Sequence, residues 1–320
     1  MNFHKRYVRF LVLLLAFLFL TACAAKPAPE DGAPADTVTF TDDLGRSVTV
    51  EKSPERVACL LGSFTQVWML AGGTVCATAD DAWEDFQLDL AEETVNLGTT
   101  QSLSMELLLS AEPDFILAST NRRQNMEWLD TLQSTGIPVA YFDVANFEDY
   151  LRLLNICTDL TGQKDRYETY GLAVREQIDA VLEQSKARLA NSSAPTVLSM
   201  RASAAGLTVK NSEGNVLGEM LKALGCINIA DSDATLLEAL SVEQILLADP
   251  DYIFIVQRGD DTEGMQRYLQ QFIADHPAWA ELTAVQEGRV YMMDKRLYNL
   301  KPNDRWGEAY EMLEEILQNG

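Results

Sequence analysis

Arginines follow several short apolar runs of the sequence, and their side chains are suited to binding oxygen-rich anions. Arg201, Arg258 and Arg305 are the strongest candidates, and the pair Arg122 and Arg123 stands in a similar place after another run. A guanidinium group presents a planar fork of donors that holds a carboxylate or phosphate by two hydrogen bonds. If the apolar runs are parallel strands, their carboxyl ends meet at one edge, where open sheets bind ligands. We therefore predict an anion site built from these arginines.

Aromatic and small residues follow the same predicted strand ends. Ser63 and Phe64 come after the first run, Trp83 after the second, and Tyr298 and Trp306 after the last. Indole, phenyl and phenol rings cover flat or chelated ligands, so these residues are predicted to line the site. Each single residue has the alternative of a solvated loop position, because loops lie on the surface in any case. The prediction therefore depends on the set rather than on any one member.

The elements that must position these residues alternate along the chain. Short apolar runs, such as 57–61 and 115–118, alternate with helical patterns, which predicts crossover connections and parallel sheets. Residues 164–190 lack proline and carry apolar residues at helical spacing, which predicts one long helix. The predicted fold is α/β, with two lobes, each a short parallel sheet flanked by helices, joined by that helix. The first lobe covers 37–163, and the second covers 191–320.

Two segments of the chain repeat each other. LSMELLLSAEPDFIL begins at Leu103 and LSVEQILLADPDYIF begins at Leu240, and eight of fifteen positions agree. In each copy a helix begins after serine, ends before proline and leads into a buried strand. A common helix-to-strand corner accounts for the leucine, alanine, proline and aspartate. It accounts less well for Glu106 and Glu243, because the helix dipole favours an acid at any position of the first turn.

The start of the chain has the pattern of an export signal. Three basic residues precede an apolar run over 10–20 that is too short for a bilayer, which needs about 20 residues. The segment LTAC, which ends at Cys23, resembles the bacterial lipobox, in which the cysteine is lipidated and the preceding 1–22 are removed. The alternative is an ordinary signal that is cut elsewhere. Residues 23–36 are then the lipidated cysteine with a proline-rich tether, so we expect an extracytoplasmic monomer anchored to the cell membrane.

The chain is strongly acidic, with a formal net charge of −23 over 320 residues. Loss of 1–22 removes three positive charges, which makes the mature charge −26. Such a surface repels polyanions at long range, so nucleic acid is excluded as a partner. Any anion site must therefore be built locally from arginines or helix N-termini.

Histidine and cysteine offer little for metal or redox chemistry. The predicted mature chain has one histidine, His276, whereas zinc and manganese sites gather several histidines and carboxylates. Beyond Cys23 the cysteines lie in apolar surroundings without CxxC spacing and are read as free thiols. An exported chain could still oxidise a pair, and Cys59 with Cys76 is the pair to check. No resident metal and no cofactor are predicted.

Several segments together resemble a known family. They are the lipobox, FTDDLGRSVTVEKSPERVACL at 40–60, the paired glutamate-to-Pro-Asp corners, the long joining helix, and PAWAELTAVQEGRVYMMD at 277–294. They occur in the family's order over essentially the whole mature chain. The family is that of the substrate-binding lipoproteins of ABC importers for ferric siderophores, cobalamin and haem. The resemblance implies a protein that delivers a small molecule to a permease dimer with its ATPase.

The resemblance also assigns roles to particular residues. In the family one surface glutamate of each lobe docks onto permease arginines, and the matching positions are Glu106 and Glu243. The arginines favour an anionic ferric siderophore-type chelate, with haem and cobalamin as alternatives. The chain departs from the family at Gln66, where many relatives have the glutamate of a Ser-x-x-Glu segment. The role of that acid is therefore open in this chain.

Two other classes of protein have weaker support. The sequence has no Gly-x-Ser-x-Gly elbow, Walker loop, GxGxxG segment or His-x-x-x-His pair, so an enzyme would depend on carboxylates such as Asp80 and Asp81. Those carboxylates are more typical of a helix start or a solvated loop, so no catalytic residue is predicted. A surface adhesion or scaffold protein could also have two lobes, but that function gives no reason for a cleft between them.

Overall fold

The computed structural model describes residues 36–233, 235–238 and 240–320. The predicted signal peptide at 1–22, the predicted lipidation site Cys23 and the tether before Asp36 lie outside these residues. Among the described residues, no helix is both long enough and apolar enough to cross a bilayer. Thr37–Gly320 form one compact unit, and the fold is that of this unit.

Strands and short helices alternate through the unit. The strands are β1 (Thr37–Thr41), β2 (Ser47–Glu51), β3 (Val57–Cys59), β4 (Val75–Thr78), β5 (Val95–Asn96), β6 (Gly98–Thr99), β7 (Ser102–Leu103), β8 (Phe115–Ser119), β9 (Val139–Phe142), β10 (Thr196–Ser203), β11 (Gly206–Lys210), β12 (Ile227–Asn228), β13 (Tyr252–Gln257) and β14 (Val290–Met293). The α-helices are α1 (Gly62–Leu70), α2 (Asp81–Glu84), α3 (Met105–Ser110), α4 (Arg123–Glu127), α5 (Leu129–Ser134), α6 (Phe147–Thr161), α7 (Lys164–Tyr167), α8 (Ala173–Leu189), α9 (Val216–Ala223), α10 (Thr235–Glu238), α11 (Val242–Ala248), α12 (Thr262–Asp275), α13 (Thr283–Gln286), α14 (Lys295–Tyr298) and α15 (Trp306–Asn319).

The first sheet has five parallel strands in the order β5-β4-β3-β8-β9. Its central strands are buried along their whole length, as expected of parallel strands that are covered by helices on both faces. Ser119 and Phe142 end β8 and β9 and are paired in register. The loops that lead to Arg122 and Asp143 therefore leave the sheet at the same edge.

The second sheet has the order β11-β10-β13-β14, with β12 beside β10. All of its pairs are parallel except β10 with β11. Arg201 lies in β10, opposite Val256 of β13 on one side and Thr208 of β11 on the other. The sequence does not predict β11, because Val209 is the one fully buried side chain in its five residues. The two sheets confirm the predicted α/β fold, and antiparallel β11 is the departure from it.

The repeated Pro-Asp corners have the same geometry in both copies. The residue before each proline adopts a left-handed φ, 47° in the first copy and 39° in the second. The Asp114 carboxylate accepts a hydrogen bond of 3.1 Å from the backbone N–H of Arg56, just ahead of β3. The Asp251 carboxylate accepts one of 2.7 Å from the N–H of Thr196, the first residue of β10. The repeated Pro-Asp therefore fixes a helix to the start of a central strand in each sheet.

A long helical segment joins the two sheets. It consists of α7, a π-helical turn (Glu168–Leu172) and α8. Gly171 lies in the π turn, where a Cβ atom would come within 2.8 Å of the Leu151 side chain of α6. At the far end, Arg188 of α8 donates a 2.9 Å hydrogen bond to the buried Glu314 of α15. One cluster of buried apolar side chains includes members of both sheets and of α8, so the two halves share a core.

We call residues 37–163 the first lobe and residues 191–320 the second lobe, following the division that the sequence predicts. Each of these ranges contains one of the two five-stranded sheets, and the first also contains the two-stranded sheets β1-β2 and β6-β7. The carboxyl ends of the strands in both lobes carry the residues of the candidate site.

Candidate ligand-binding site

Cationic side chains from both lobes form one group, which we call the cation cluster. Its members are Arg122, Arg201, Lys210, Arg258 and Lys301. Arg201 lies near the carboxyl end of β10, and Arg258 follows β13. Lys210 ends the antiparallel β11 and is paired with Ser199 in the middle of β10. Arg122 comes from the first lobe, immediately before α4, and Lys301 lies in the loop after α14. Arg122, Arg201 and Arg258 therefore stand at or near the carboxyl ends of parallel strands, where open α/β sheets bind ligands.

Mutual repulsion shows that these cations are close neighbours. Burial lowers the pKa of the Arg201 guanidinium, and Arg258 and Arg122 lower it further. Burial also lowers the pKa of Lys210, again with contributions from Arg201 and Arg258. Burial is the main reason that the pKa of Lys301 falls to about 8, and Arg122 and Arg201 add to the effect. Because such effects weaken with distance, the cations of both lobes lie near one another.

The five side chains of the cation cluster have no anionic partner of their own. Within the described part of the chain, none of them donates a side-chain hydrogen bond or lies within ion-pair distance of a carboxylate. Other basic residues are paired: Arg305 donates two hydrogen bonds of 2.6 Å to Glu308, and Arg123 lies 3.4 Å from Glu127. All members of the cation cluster except the exposed Arg258 are partly buried. Partly buried charges without partners destabilise a folded protein, and an anion bound among them would remove that penalty.

Two carboxylates of the first lobe border the cation cluster. Asp81 accepts a 2.8 Å hydrogen bond from the backbone N–H of Gly62, and burial raises its pKa to about 6 although Arg122 opposes the shift. Burial also raises the pKa of Asp143, and Lys301 opposes that shift. These carboxylates lie near Arg122 and Lys301, so the most positive part of the site is formed by the second lobe.

A lysine joins the lobes beside the site. The Lys295 ammonium ion donates a 2.6 Å hydrogen bond to Asp85 of the first lobe. It donates another to Asp260 of the second lobe. Its side chain is only 20% exposed, so this bridge is partly shielded from solvent. Lys295 is therefore a contact that holds the lobes together and is not a free cation of the site.

Gln66 of α1 is a second contact between the lobes, and it stands where the family resemblance leads us to expect glutamate. Its Oε1 atom accepts hydrogen bonds from the Arg296 guanidinium and, at 2.8 Å, from the Asn303 amide. Arg296 also lies over the Phe86 ring, with 4.0 Å between the guanidinium carbon and the ring centroid. Burial lowers the pKa of Arg296 to about 10, and no carboxylate lies within ion-pair distance of it among the described residues.

Three of the aromatic residues that the sequence assigns to the site belong to the core instead. Phe64, Tyr298 and Trp306 are each at most 1% exposed. The Tyr298 hydroxyl donates a 2.9 Å hydrogen bond to the Ala309 carbonyl oxygen, and Trp306 packs edge to face on Phe147. The prediction that these rings cover a ligand is wrong for this structure, because the helices after the strand ends turn their apolar faces into the core.

The remaining predicted residues lie in varied surroundings. Ser63 is buried, and its carbonyl oxygen accepts a 3.0 Å hydrogen bond from the Asn303 amide, so it serves the lobe junction. Trp83 is half-buried in α2. Arg123 has a 91% exposed side chain, and Arg305 is bonded to Glu308, so neither joins the cation cluster. Of the predicted arginines, the structure brings together Arg122, Arg201 and Arg258.

Glu106 and Glu243 occupy matching, exposed positions in the two copies of the repeat. Each lies in the first turn of its helix, behind a serine that caps the helix. The cap Ser104 accepts a 3.2 Å hydrogen bond from the N–H of Leu107, and Ser241 accepts one of 3.3 Å from the N–H of Gln244. The structure therefore presents both carboxylates to solvent on similar helix starts.

Sequence reasoning missed Lys210 and Lys301. Lys210 ends the strand β11, which the sequence pattern does not reveal, so its place at a strand end is hidden. Lys301 lies in the basic segment DKRLYNLKPNDRW, in which nothing distinguishes it from Lys295 and Arg305. Both lysines could have been found as basic residues close in sequence to predicted strands that are followed by arginine, since the rest of the chain is acidic.

Other features do not add to the site. A groove of about 470 Å³ lies between α12 and the ends of β13 and β14, but no member of the cation cluster lines it. Among the described residues, no group of three or more histidine, cysteine, aspartate or glutamate side chains is placed to hold a metal ion. Within the described part of the chain the thiols are free, including Cys59 and Cys76.

Comparison with known proteins gives one family. The profile of the periplasmic binding protein family matches residues 57–297. The Fe(3+)-citrate-binding protein YfmC of Bacillus subtilis is 25% identical over 296 residues, which cover 89% of this chain and 88% of that protein.

Solved structures show the same fold. Staphylococcus aureus SirA in complex with staphyloferrin B superposes with a TM-score of 0.69 at 20% identity, covering 88% of this chain and 99% of that chain. The periplasmic heme-binding protein RhuT from Roseiflexus sp. RS-1 gives a TM-score of 0.66 at 21% identity, covering 83% of this chain and 99% of the other. These likenesses establish the fold of the described unit.

Proposed function

The chain belongs to the periplasmic binding protein family, and we propose that it delivers an anionic ferric chelate to the permease of an ABC importer. The family consists of solute-binding proteins of importers and not of enzymes, which fits a chain without a catalytic constellation in its sequence. We assign the ligand to the cation cluster, and we place the ligand between the two lobes. The cluster carries this proposal.

The charge of the chain makes the cluster informative. The chain has a formal net charge of −23, yet the five cations of the cluster lie near one another and none of them forms an ion pair within the described residues. A protein with surplus carboxylates would neutralise these cations internally if their only role were structural. A ligand that supplies several anionic oxygens would satisfy Arg201 and Arg258 by bidentate hydrogen bonds and would offset the repulsion among the cations.

The chemistry of the cluster favours a chelate that presents carboxylate oxygens. Guanidinium and ammonium groups bind the outer oxygens of such a ligand, while its inner oxygens hold the iron, so the protein needs no metal ligand of its own. A Bacillus subtilis relative is named for binding Fe(3+)-citrate, which has this chemistry. Haem and cobalamin are less well suited, because Phe64, Tyr298 and Trp306 are buried and offer no ring face to a flat macrocycle.

We propose that Glu106 and Glu243 dock the protein on its permease. Both carboxylates are exposed at matching helix starts, one in each lobe. Exposed leucines accompany them: Leu107 is 42% exposed, and Leu247 is 87% exposed. A surface that combines apolar side chains with a charge is typical of protein interfaces, and paired charges set register and accelerate encounter. A permease dimer with one cationic site in each subunit would fit this arrangement.

We also propose that Cys23 carries the lipid that anchors the mature chain outside the cytoplasm, with 23–36 as its tether.

We further propose that the two lobes close only slightly on the ligand. Their shared core, together with the bridges through Lys295 and Gln66, resists a large hinge motion. The separation of Glu106 and Glu243 would therefore be nearly the same with and without the ligand.

A ligand panel tests the proposal. Purified residues 24–320 are mixed with ferric citrate, ferric hydroxamate, ferric catecholate, haem or cobalamin, and the melting temperature is measured for each. A ligand that binds only the native state stabilises it by RT ln(1 + [L]/Kd), which is about 2.7 kcal/mol at 100-fold excess over Kd. We expect the largest shift with ferric citrate. A shift with haem or cobalamin alone would replace the proposed ligand class.

A further inference from the structure

The loop after α14, which carries Lys301, is held by hydrogen bonds to the first lobe. Asn303 stands two residues after Lys301 and is only 1% exposed. Its side-chain amide donates a 3.0 Å hydrogen bond to the Ser63 carbonyl oxygen and a 2.8 Å hydrogen bond to the Gln66 Oε1 atom. Both acceptors belong to α1, so the amide of this second-lobe residue is bonded to the first lobe alone.

The backbone of the same loop is fixed at Lys301 itself. The Arg296 guanidinium donates one hydrogen bond to the Lys301 carbonyl oxygen and another to Gln66 Oε1. Pro302, the next residue, is buried, and its ring restricts φ. Asn303 has a left-handed φ of 58°, which few residues other than glycine adopt and which asparagine tolerates. The backbone of Lys301 is therefore fixed on both sides by groups that also contact α1.

We propose that Asn303 is a positioning residue for ligand binding, which holds the Lys301 ammonium ion in the cation cluster from the first lobe. Lys301 is taken as a contact of the bound anion, so this role rests on the proposed function. A lysine side chain is a flexible stem, and a fixed backbone limits the positions that its ammonium ion can reach. Because the cluster also includes Arg122 of the first lobe, a loop bonded to α1 sets the separation of the two cations.

Glycine at position 303 separates the contacts of the amide from the conformation of the backbone. Glycine adopts a left-handed φ without strain, so N303G keeps the turn and loses both hydrogen bonds to α1. Ser53 has a similar φ of 55° in an exposed turn of the first lobe. S53G is therefore the matched control for a change to glycine at such a position. Q66L, which removes an acceptor of the Asn303 amide, is a second variant with the same expected pattern.

Equilibrium dialysis with ferric citrate tests the role of Asn303 in residues 24–320. We expect N303G to raise the Kd at least about fivefold and K301M to raise it at least about tenfold. N303G/K301M should bind within about twofold of K301M, because Asn303 acts through Lys301. S53G should bind like the unchanged protein.

Three results of the dialysis would overturn the inference. They are an unchanged Kd for N303G, an unchanged Kd for K301M, and an N303G effect of the same factor with and without Lys301. The last result is expected of a merely structural role. Circular dichroism spectra that match the unchanged protein ensure that the variants are folded.

Urea denaturation at pH 7 tests the same coupling without a ligand. Arg122 and Arg201 repel the Lys301 charge, so K301M should raise the urea midpoint. The rise should be smaller in N303G, where the released loop lets Lys301 move away from these cations, and an equal rise would contradict the inference. Coupling in urea without ferric citrate binding would contradict the proposed function alone. Ferric citrate binding with independent effects of N303G and K301M would contradict the role of Asn303 alone.

Discussion

The Lys295 ammonium ion lies 2.6 Å from the Asp85 carboxylate and so ties the second lobe to the first. Asp260, on the same lobe as Lys295, accepts another hydrogen bond from the same ammonium group. Lys295 is the first residue of α14, whose following loop carries Lys301. The relative position of the lobes is therefore fixed close to the cation cluster even without a ligand.

Replacement of Lys295 by methionine should loosen this junction. K295M leaves Asp85, which is 22% exposed, without its partner, and we expect a loss of about 1–3 kcal/mol in the free energy of unfolding. Urea denaturation measures the change. K186M is the matched control, since the Lys186–Glu183 pair lies on the exposed surface and should contribute little to stability. Equal losses in the two variants would contradict the bridging role.

Replacement of Gln66 by glutamate should strengthen the other contact between the lobes. Arg296 is half-buried against Phe86 with a pKa lowered to about 10, and Gln66 gives it only a neutral acceptor. Q66E places a carboxylate oxygen where the Gln66 Oε1 atom now lies. We therefore expect a higher melting temperature and a gain of roughly 1–2 kcal/mol in the free energy of unfolding. Q133E on the exposed face of α5 is the control, with no expected change. A lower melting temperature for Q66E would show that a carboxylate at this position is not compensated by Arg296.

Removal of the Lys301 charge should stabilise the ligand-free protein. Because its folded pKa lies below the unfolded value of 10.5, protonated Lys301 destabilises the fold fully below pH 8. The penalty decreases as pH rises and is absent above about pH 10.5. We expect K301M to be more stable than the unchanged protein by about 1–3 kcal/mol at pH 7 and equally stable near pH 10.5. Urea denaturation at both pH values checks this, and a difference that does not depend on pH would exclude charge as its cause.

Loss of both docking carboxylates should abolish uptake and leave ligand binding intact. E106A together with E243A removes two exposed side chains that are not members of the cation cluster, so the affinity for ferric citrate should not change. Uptake of iron by cells that carry the double variant should fall to the level of cells without the protein. The control pair is E92A with E281A, two exposed acids outside the repeat. Normal uptake by the E106A/E243A cells would refute the docking role.

Much of the fold was predictable because its signals are local. Buried parallel strands form continuous apolar runs, and the Pro-Asp corners, whose Asp114 and Asp251 accept backbone hydrogen bonds, end the preceding helices in the same way twice. The antiparallel strand β11 was not predictable from its five residues, since β10 supplies its hydrogen bonds and Val209 is its only fully buried side chain. Pairing with a distant strand carries no local signal.

The site was predictable in part. Arg201 and Arg258 follow buried strands, so the rule that ligands bind at strand ends finds them. The same rule also selected Phe64 and Trp306, because sequence position alone does not show whether a ring faces the cleft or the core. Lys301 was missed because its role depends on the approach of Arg122 from the other lobe.

Ferric citrate affinity in the absence of Arg201 and Arg258 tests the central claim most directly. Equilibrium dialysis with radioactive ferric citrate compares the unchanged protein, R201Q/R258Q and the control R123Q/R267Q, whose two arginines form exposed ion pairs. Each lost hydrogen bond to a charged group costs about 1.5–3 kcal/mol, so the Kd of R201Q/R258Q should rise by at least about 100-fold. The control should bind like the unchanged protein. Equal affinity in all three proteins would contradict a site built on the cation cluster.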